Sequence, residues 1–283
     1  MIFILYNVLI TKLSTLGFSK PFLSCLNSYL SDRSHFVQID DRTSESVNVY
    51  FGVPRGSILG PMLFNLYVSD LQEHLPSSIG SFQYADDTTI YFSCPAPELQ
   101  SCAQELNSTL NTVSSWSNDS HLALNSKKIK TMLLSTSQMS HAHSLDKNRP
   151  AITISDSTLE YGNVSRLLGV HFHQHLNWDE HVKATCKSCY GTIQIIRKLK
   201  KFAGYRLRKH LVQSLVLSKL DYCDTVYYPL PEFQLKRLQR VQPNDINDIV
   251  KIAWLPVRQR KDFHVLKLVH QACTPPAGRL TYH

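Results

Sequence analysis

No stretch of this 283-residue chain is apolar for long enough to cross a bilayer. The longest run, Met1 to Ile10, is broken at Asn7, whereas a spanning helix needs about 20 apolar residues. The same start has no basic residue ahead of its apolar segment and no small-residue cleavage site before Lys12 and Gly17, so a secretory leader is not expected. Internal repeats and long low-complexity tracts are missing as well, which excludes solenoids and repetitive fibres. Charged residues are scarce at 18%, against about 25% in ordinary domains. Hydrophobic content is near normal at 43%, so wholesale disorder is disfavoured and a real core is expected. The seven cysteines (Cys25, Cys94, Cys102, Cys186, Cys189, Cys223 and Cys273) are odd in number and widely scattered. They favour free thiols in a reducing, intracellular compartment over a disulfide framework.

What is present is unevenly placed. Lys and Arg number 30 against 22 Asp and Glu, a formal net charge of +8. Residues 1–150 hold 10 basic and 12 acidic side chains, and residues 151–283 hold 20 and 10. All the positive excess lies in the second half, which suits a polyanion such as nucleic acid, with an anionic membrane surface as the weaker alternative. At roughly 150 residues per domain, the length allows one large or two ordinary domains.

Apolar spacing predicts a helix over 20–31, carried by Phe22, Leu23, Leu26 and Leu30 and ended by Ser31-Asp32-Arg33-Ser34. Alternation predicts strands over 36–39 and 47–50, then a helix over 61–71. Around Tyr84-Ala85-Asp86-Asp87-Thr88-Thr89-Ile90-Tyr91, apolar and β-branched residues flank a polar centre, the pattern of a β-hairpin whose turn carries two carboxylates. Pro97 opens a helix striped by Leu99, Cys102, Ala103, Leu106, Leu110, Val113 and Trp116, which should cover one face of the sheet. Further strands are expected over 132–135, 151–154 and 167–172. Helices are expected over 179–200, 205–220, 232–240 and 259–272. The first half therefore reads as mixed α+β and the second as mostly α, with a junction between 170 and 178.

Asp86 and Asp87 are the most informative pair, because two adjacent acids in an apolar strand context need a cation or solvent to satisfy them. They fit a Mg2+ site at a hairpin tip; taken alone, the pair fits an exposed turn better, where Asp is common for its local hydrogen bonding. About 30 residues upstream, Gly52-Val53-Pro54-Arg55-Gly56-Ser57-Ile58-Leu59-Gly60-Pro61 describes a loop built for close backbone approach by something bulky. At these residues the chain resembles the reverse transcriptases of non-LTR (LINE-type, jockey-like) retrotransposons. Gly52 to Leu71 resembles motif B and Tyr84 to Asp87 motif C. Leu124-Asn125-Ser126-Lys127-Lys128-Ile129-Lys130-Thr131-Met132 resembles motif D, and Leu167-Leu168-Gly169-Val170 the primer grip. Asn177-Trp178-Asp179-Glu180-His181, Leu220-Asp221-Tyr222-Cys223, Leu238-Gln239-Arg240-Val241-Gln242 and Trp254-Leu255-Pro256-Val257-Arg258 are similar to the thumb and the segment after it.

The resemblance implies nucleotidyl transfer: a DNA primer 3′-hydroxyl on an RNA template attacks a deoxynucleoside triphosphate, assisted by two Mg2+ ions roughly 3.5 to 4 Å apart. It makes Asp86 the metal ligand and Asp87 a neighbour that reinforces the field. Gly56 and Ser57, beside Arg55, become the loop under the nascent base pair, Lys128 the charge stabiliser near pyrophosphate, and Gly169 part of the primer contact. Departures accompany it. Arg55 stands where the family has Gln, and Ile129 where it has Thr. The first acid in the chain is Asp32, so a motif A aspartate and the fingers are expected to fall before Met1 and to be missing. Loss of that carboxylate is expected to leave the polypeptide inactive alone.

Arg197, Lys198, Lys200, Lys201, Arg206, Arg208 and Lys209 put seven cations and no acid into 13 residues, with Phe202 and Tyr205 between them. That run suits a phosphate backbone with base stacking, or alternatively a solvated helix end complementing the dipole. Cys186 and Cys189 share a helical stripe with Val182, Tyr190, Ile193 and Ile196, the pattern of buried thiols more than of half a zinc site. His171, His173 and His175 read as exposed strand-end residues, and Trp116, Trp178 and Trp254 as core anchors. The expected fold class is α+β: a truncated right-hand polymerase palm, an antiparallel sheet with helices, over 1–172, followed by a mainly α-helical thumb over 173–283. The expected function is a reverse transcriptase domain fragment of a retrotransposon that binds RNA template, DNA primer and deoxynucleoside triphosphates, with no membrane partner. A catalytically dead nucleic-acid-binding remnant and a pseudogene product are the alternatives.

Overall fold

The computed structural model describes residues 4–53, 56–155, 157–241 and 255–273. Those of 1–131 and 138–160 pack as one compact unit, and those of 132–137 and 161–283 as a second. The fold is α+β. No described helix is long and apolar enough to cross a membrane.

The first unit starts with α1 (Tyr6–Thr15) and α2 (Lys20–Leu30). Pro21 sits in the first turn of α2, where its absent N–H leaves no bond unmade. Leu9 and Leu13 of α1 and Leu26 and Leu30 of α2 are buried. They join α3 (Leu59–Val68) and the 3-10 turn Ser69–His74 through Leu63, Phe64, Tyr67 and Leu71. α4 (Leu99–Asp119) closes this core with Val113 and Trp116. Its expected stripe is the buried one, since Ala103, Leu110, Val113 and Trp116 face inward. A short α5 (Ser137–Ala142) lies further along the chain.

Lys12 fixes these elements to one another. Its Nζ donates to Tyr67 O (2.8 Å), Asp70 Oδ1 (2.9 Å) and Ser120 Oγ (3.0 Å), while Trp116 Nε1 donates to the same Asp70 oxygen (3.2 Å). All three ammonium donors are used, and that satisfaction is what makes a half-buried charge tolerable.

The strands depart from expectation. They form five separate two-stranded antiparallel ladders among the described residues, not one sheet. β1 (Arg33–His35) pairs with β4 (Val47–Val49), and β2 (Gln38–Ile39) with β3 (Arg42–Thr43). The expected strand over 36–39 is broken because Asp40 takes a positive φ of 51° and turns 38–43 into its own tight hairpin. Phe36 and Val37 fall outside both ladders and are exposed. β5 (Gly80–Tyr84) and β6 (Asp87–Tyr91) pair in the register Tyr84↔Asp87 to Gly80↔Tyr91. β7 (Thr153–Ile154) and β8 (Ser157–Thr158) form a stub held to α4 by Asn107, whose Oδ1 accepts Thr153 N–H (2.9 Å) and whose Nδ2 donates to Ala151 O (3.0 Å). Ladders two to five residues long bury little, so the helices carry the core.

In the second unit the expected strand over 167–172 is a hairpin, β9 (Val164–Leu167) and β10 (Val170–His173). Its two turn residues, Leu168 (φ 45°) and Gly169 (φ 86°), both have positive φ, as a type I′ turn requires. The residues 132–135 form no named strand, although Ser135 N–H donates to Gln174 O (3.0 Å). The helices follow expectation closely: α6 (Asp179–Lys198), α7 (Tyr205–Val212), α8 (Ser218–Asp221), α9 (Glu232–Val241) and α10 (Val257–Cys273). A π-helical turn, Gln213–Leu217, joins α7 to α8. Asp179 and Glu180 begin α6, and Arg197 and Lys198 end it, each sign at the pole that favours it. Its buried stripe Val182, Cys186, Cys189, Ile193 and Ile196 meets Val212, Val216, Leu220, Leu238 and Val257. Burial pushes the Cys189 thiol up to about 11 and raises that of Cys186, as suits core thiols. Cys25, Cys94, Cys102, Cys186, Cys189 and Cys223 are free thiols.

Candidate functional site

Tyr84 and Asp87 close the β5–β6 hairpin, leaving Ala85 and Asp86 as its two-residue turn. Ala85 has a positive φ of 52°, which a tight hairpin turn imposes on its first central residue. Both carboxylates are exposed, and neither has a hydrogen-bond or ion-pair partner among the described residues. Beside them, Tyr84 is 67% and Phe82 66% exposed, and Phe82 stacks on Tyr91 at 5.0 Å. The tip therefore presents hard oxygen donors on an aromatic stem. Such donors match the carboxylate-and-water preference of Mg2+.

The other residues singled out in this unit lie apart in role. Gly56 is exposed with φ 78°, and a Cβ there would meet nothing within 4 Å. Ser57 spends its hydroxyl on its own helix: Oγ accepts Gly60 N–H at 3.0 Å and caps α3. Arg55 lies outside the described residues, as do Gln242 and Trp254. Lys128 is exposed after a turn closed by its N–H on Asn125 O (2.9 Å). A concavity of about 630 Å3 spans Val37, Ile39 and Asp40 to Ser44 and includes none of these residues.

In the second unit, Lys198, Lys200, Lys201 and Arg206 are exposed where α6 passes through the 3-10 turn Leu199–Lys201 into α7. Arg197, Arg208 and Lys209 are half-buried, and Arg208 Nε has no acceptor. Phe202 is 87% exposed and Tyr205 49%, while Ala203 between them is buried and anchors the bend. Two aromatic faces thus stand in water within a run of cations, an arrangement suited to stacking and phosphate contact.

The same unit holds a polar network that local sequence gave no sign of. Asp221 and Asp224 flank the turn after α8; Asp221 pairs with Arg260 of α10, and Asp224 Oδ2 lies 2.7 Å from His264 Nδ1. Lys261, 1% exposed, sits over the Tyr227 ring at 3.8 Å. Burial lowers its pKa to about 8, against the pull of Asp224. Asp221, Asp224 and His264 form the one group of three metal-ligating side chains with ligand atoms within 4.8 Å among the described residues. Asp221 already faces the Arg260 guanidinium and Asp224 is held by the His264 ring, so the group is a partnered clasp on α10 and not a waiting cation site.

His171, His173 and His175 are half-buried, not exposed: the His171 ring lies 6.1 Å from that of His181 on α6, and His175 Nδ1 lies 3.1 Å from Ser135 O, while Phe172 meets Trp178 edge-on at 5.5 Å. His175 N–H donates to His173 Nδ1 (3.1 Å). His181 is 5% exposed against Tyr227 at 4.7 Å, with Nε2 unpartnered. Burial first, then His171 and Lys261, lower its pKa to about 4.

Residues 6–172 match the family described as reverse transcriptase (RNA-dependent DNA polymerase). A probable RNA-directed DNA polymerase from transposon BS of Drosophila melanogaster is 28% identical over 200 residues, which cover 69% of this chain and 21% of that protein. The RNA-directed DNA polymerase from mobile element jockey of the same fly is 22% identical over 163 residues, 56% of this chain and 17% of that one. A retrovirus-related Pol polyprotein from type-1 retrotransposable element R1 2 of Nasonia vitripennis is 25% identical over 191 residues, 66% and 45% of the two chains. In each case the match spans less than half the length of the relative.

Proposed function

From the premise that the chain belongs to the reverse transcriptase family, of the non-LTR retrotransposon kind to which jockey belongs, we propose that it serves RNA-directed DNA synthesis, with 1–172 as palm and 173–283 as thumb. The observation that carries this reading is the β5–β6 tip, where Asp86 and Asp87 stand exposed and unpartnered within the family-matched segment. Bound there, Mg2+ would neutralise the charge developing on the transferred phosphate. Asp86 is the ligand and Asp87 strengthens the local field. Lys128 offers a mobile cation for the leaving pyrophosphate. Gly56 contributes backbone freedom to the loop under the base pair, with Arg55 beside it, and Ser57 supports that loop by holding the start of α3. Gly169, at the β9–β10 tip, lies at the primer. Arg197, Lys198, Lys200, Lys201, Arg206, Arg208 and Lys209 follow the phosphates of template and primer.

A second reading, nucleic-acid binding without chemistry, is favoured by one fact: no group of three metal-ligating side chains includes Asp86 or Asp87 among the described residues. Mg2+ needs several ligands held on rigid elements. The polypeptide 1–283 alone is therefore expected to give no primer extension with Mg2+ and the four deoxynucleoside triphosphates. Incorporation that disappears in Asp86→Ala overturns that expectation. The two readings separate on affinity for a DNA primer annealed to RNA, followed by fluorescence anisotropy. The polymerase reading expects Mg2+ and a deoxynucleoside triphosphate together to tighten binding about tenfold, with the gain lost in Asp86→Asn. Equal affinity with and without Mg2+ decides for the second.

A further inference from the structure

The β9–β10 hairpin ends in a turn that its sequence does not suit. Leu168 is held at φ 45°, in the left-handed region that a Cβ-bearing residue disfavours. Gly169, at φ 86°, is the only one of the two that reaches positive φ without penalty. Leu168 is also 43% exposed, so burial of its side chain does little to offset the strain. A strained conformation of this kind persists only where surrounding groups over-determine it.

One side chain does so. Tyr222 O–H donates to Leu168 O at 2.7 Å, from 54 residues further along the chain. Its ring lies against the tip as well: a Cβ on Gly169 would stand 3.3 Å from Tyr222 Cε1. Tyr222 itself rises from a base that cannot drift. It occupies the turn after α8, where Cys223 has φ 51°, and its neighbours Asp221 and Asp224 are bound to Arg260 and His264 of α10. Three side chains of one four-residue turn thus reach two other elements, two clasping α10 and one the hairpin tip.

We propose that Tyr222 is a positioning residue that holds the Leu168–Gly169 tip in its strained form for contact with a nucleic-acid primer end. The inference rests on the polymerase reading for what the tip touches, and on the hydrogen bond and ring contact for how it is held. Tyr222→Phe removes the donor and keeps the ring, so the unit should fold as before. Leu168→Gly removes the strain, because glycine adopts positive φ freely.

The test has two readouts. Amide hydrogen exchange over 165–172 needs no nucleic acid and reports the tie; Tyr222→Phe should speed it about fivefold, the loss of one ordinary hydrogen bond. The ratio of affinities for a recessed RNA–DNA primer end and for a blunt RNA–DNA duplex reports the use of the tip, and should fall by a similar factor. In a Leu168→Gly background the same substitution should change both by less than about twofold, a rescue that a general packing defect would not produce. Unchanged exchange in Tyr222→Phe overturns the proposal, and so does an equal effect in both backgrounds. If the wild-type chain does not prefer the recessed end, the primer role falls together with the polymerase reading, and the exchange data distinguish that failure from failure of the tie.

Discussion

The two units handle charge in opposite ways. The first, poor in cations, leaves Asp86 and Asp87 in water with no partner and holds the half-buried Lys12 against three acceptors. The second, rich in cations, pairs Asp221 and Asp224 with α10 and leaves Lys198, Lys200, Lys201 and Arg206 exposed. Charges that hold the architecture are partnered; the unpartnered acid pair lies in the first unit and the densest run of exposed cations in the second. A metal-bound polyphosphate and a polynucleotide backbone would satisfy one set each. That complementarity, more than the total of +8, is what a template, a primer and a nucleotide require.

The strongest way to break this contrast is to neutralise the exposed cations. Replacing Lys198, Lys200, Lys201 and Arg206 by Gln should weaken duplex binding about a hundred- to thousandfold at low salt and lower the salt slope by about four. Asp86→Asn should not weaken Mg2+-free binding. Anisotropy titrations at several salt concentrations check both, and a slope that does not move refutes the role given to the cationic bend.

A second effect sharpens the structural half of the contrast. The pKa of His181 is lowered from 6.5 to about 4 in the folded state, so between those values the unfolded chain binds a proton that the folded chain refuses. Stability is therefore full above pH 6.5 and lost as pH falls toward 4, by on the order of 3 kcal/mol. Denaturant midpoints at neutral and acid pH measure this. In His181→Phe the difference should shrink, and an unaltered difference contradicts the burial argument. Smaller still, Lys12→Met should cost about 2 kcal/mol by leaving Asp70 without its cation. The loss should be visible as faster amide exchange in α1, α3 and α4.

Much of this was legible because periodicity reports burial directly. The α4 stripe from Leu99 to Trp116, the α6 stripe from Val182 to Ile196 and the acid-tipped hairpin at 84–87 all follow from side-chain spacing alone. What escaped was set by tertiary bonds. The apolar letters of 167–172 spell a strand, yet Tyr222 holds Leu168 in a turn, and only Gly169 hinted at it. The histidines at 171, 173 and 175 alternate as an exposed strand would, but His171 packs toward His181 of α6 and His175 is held at Ser135 O. Asp224 and His264 are 40 residues apart, and no local pattern could pair them. In the candidate site, the acid pair was readable as an acid pair, whereas the bond of Gly60 N–H to Ser57 Oγ at the start of α3 leaves no signature in a glycine- and proline-rich run.

The central claim is that the unpartnered acids at 86 and 87 hold a divalent ion beside a nucleic-acid end, whereas the acids at 221 and 224 do not. Mn2+ binding followed by electron paramagnetic resonance, in the presence of a DNA primer on an RNA template, puts both halves to the same test. The account predicts bound Mn2+ that is lost in Asp86→Ala and retained in Asp224→Asn; Mn2+ that stays bound in Asp86→Ala and leaves in Asp224→Asn would contradict it.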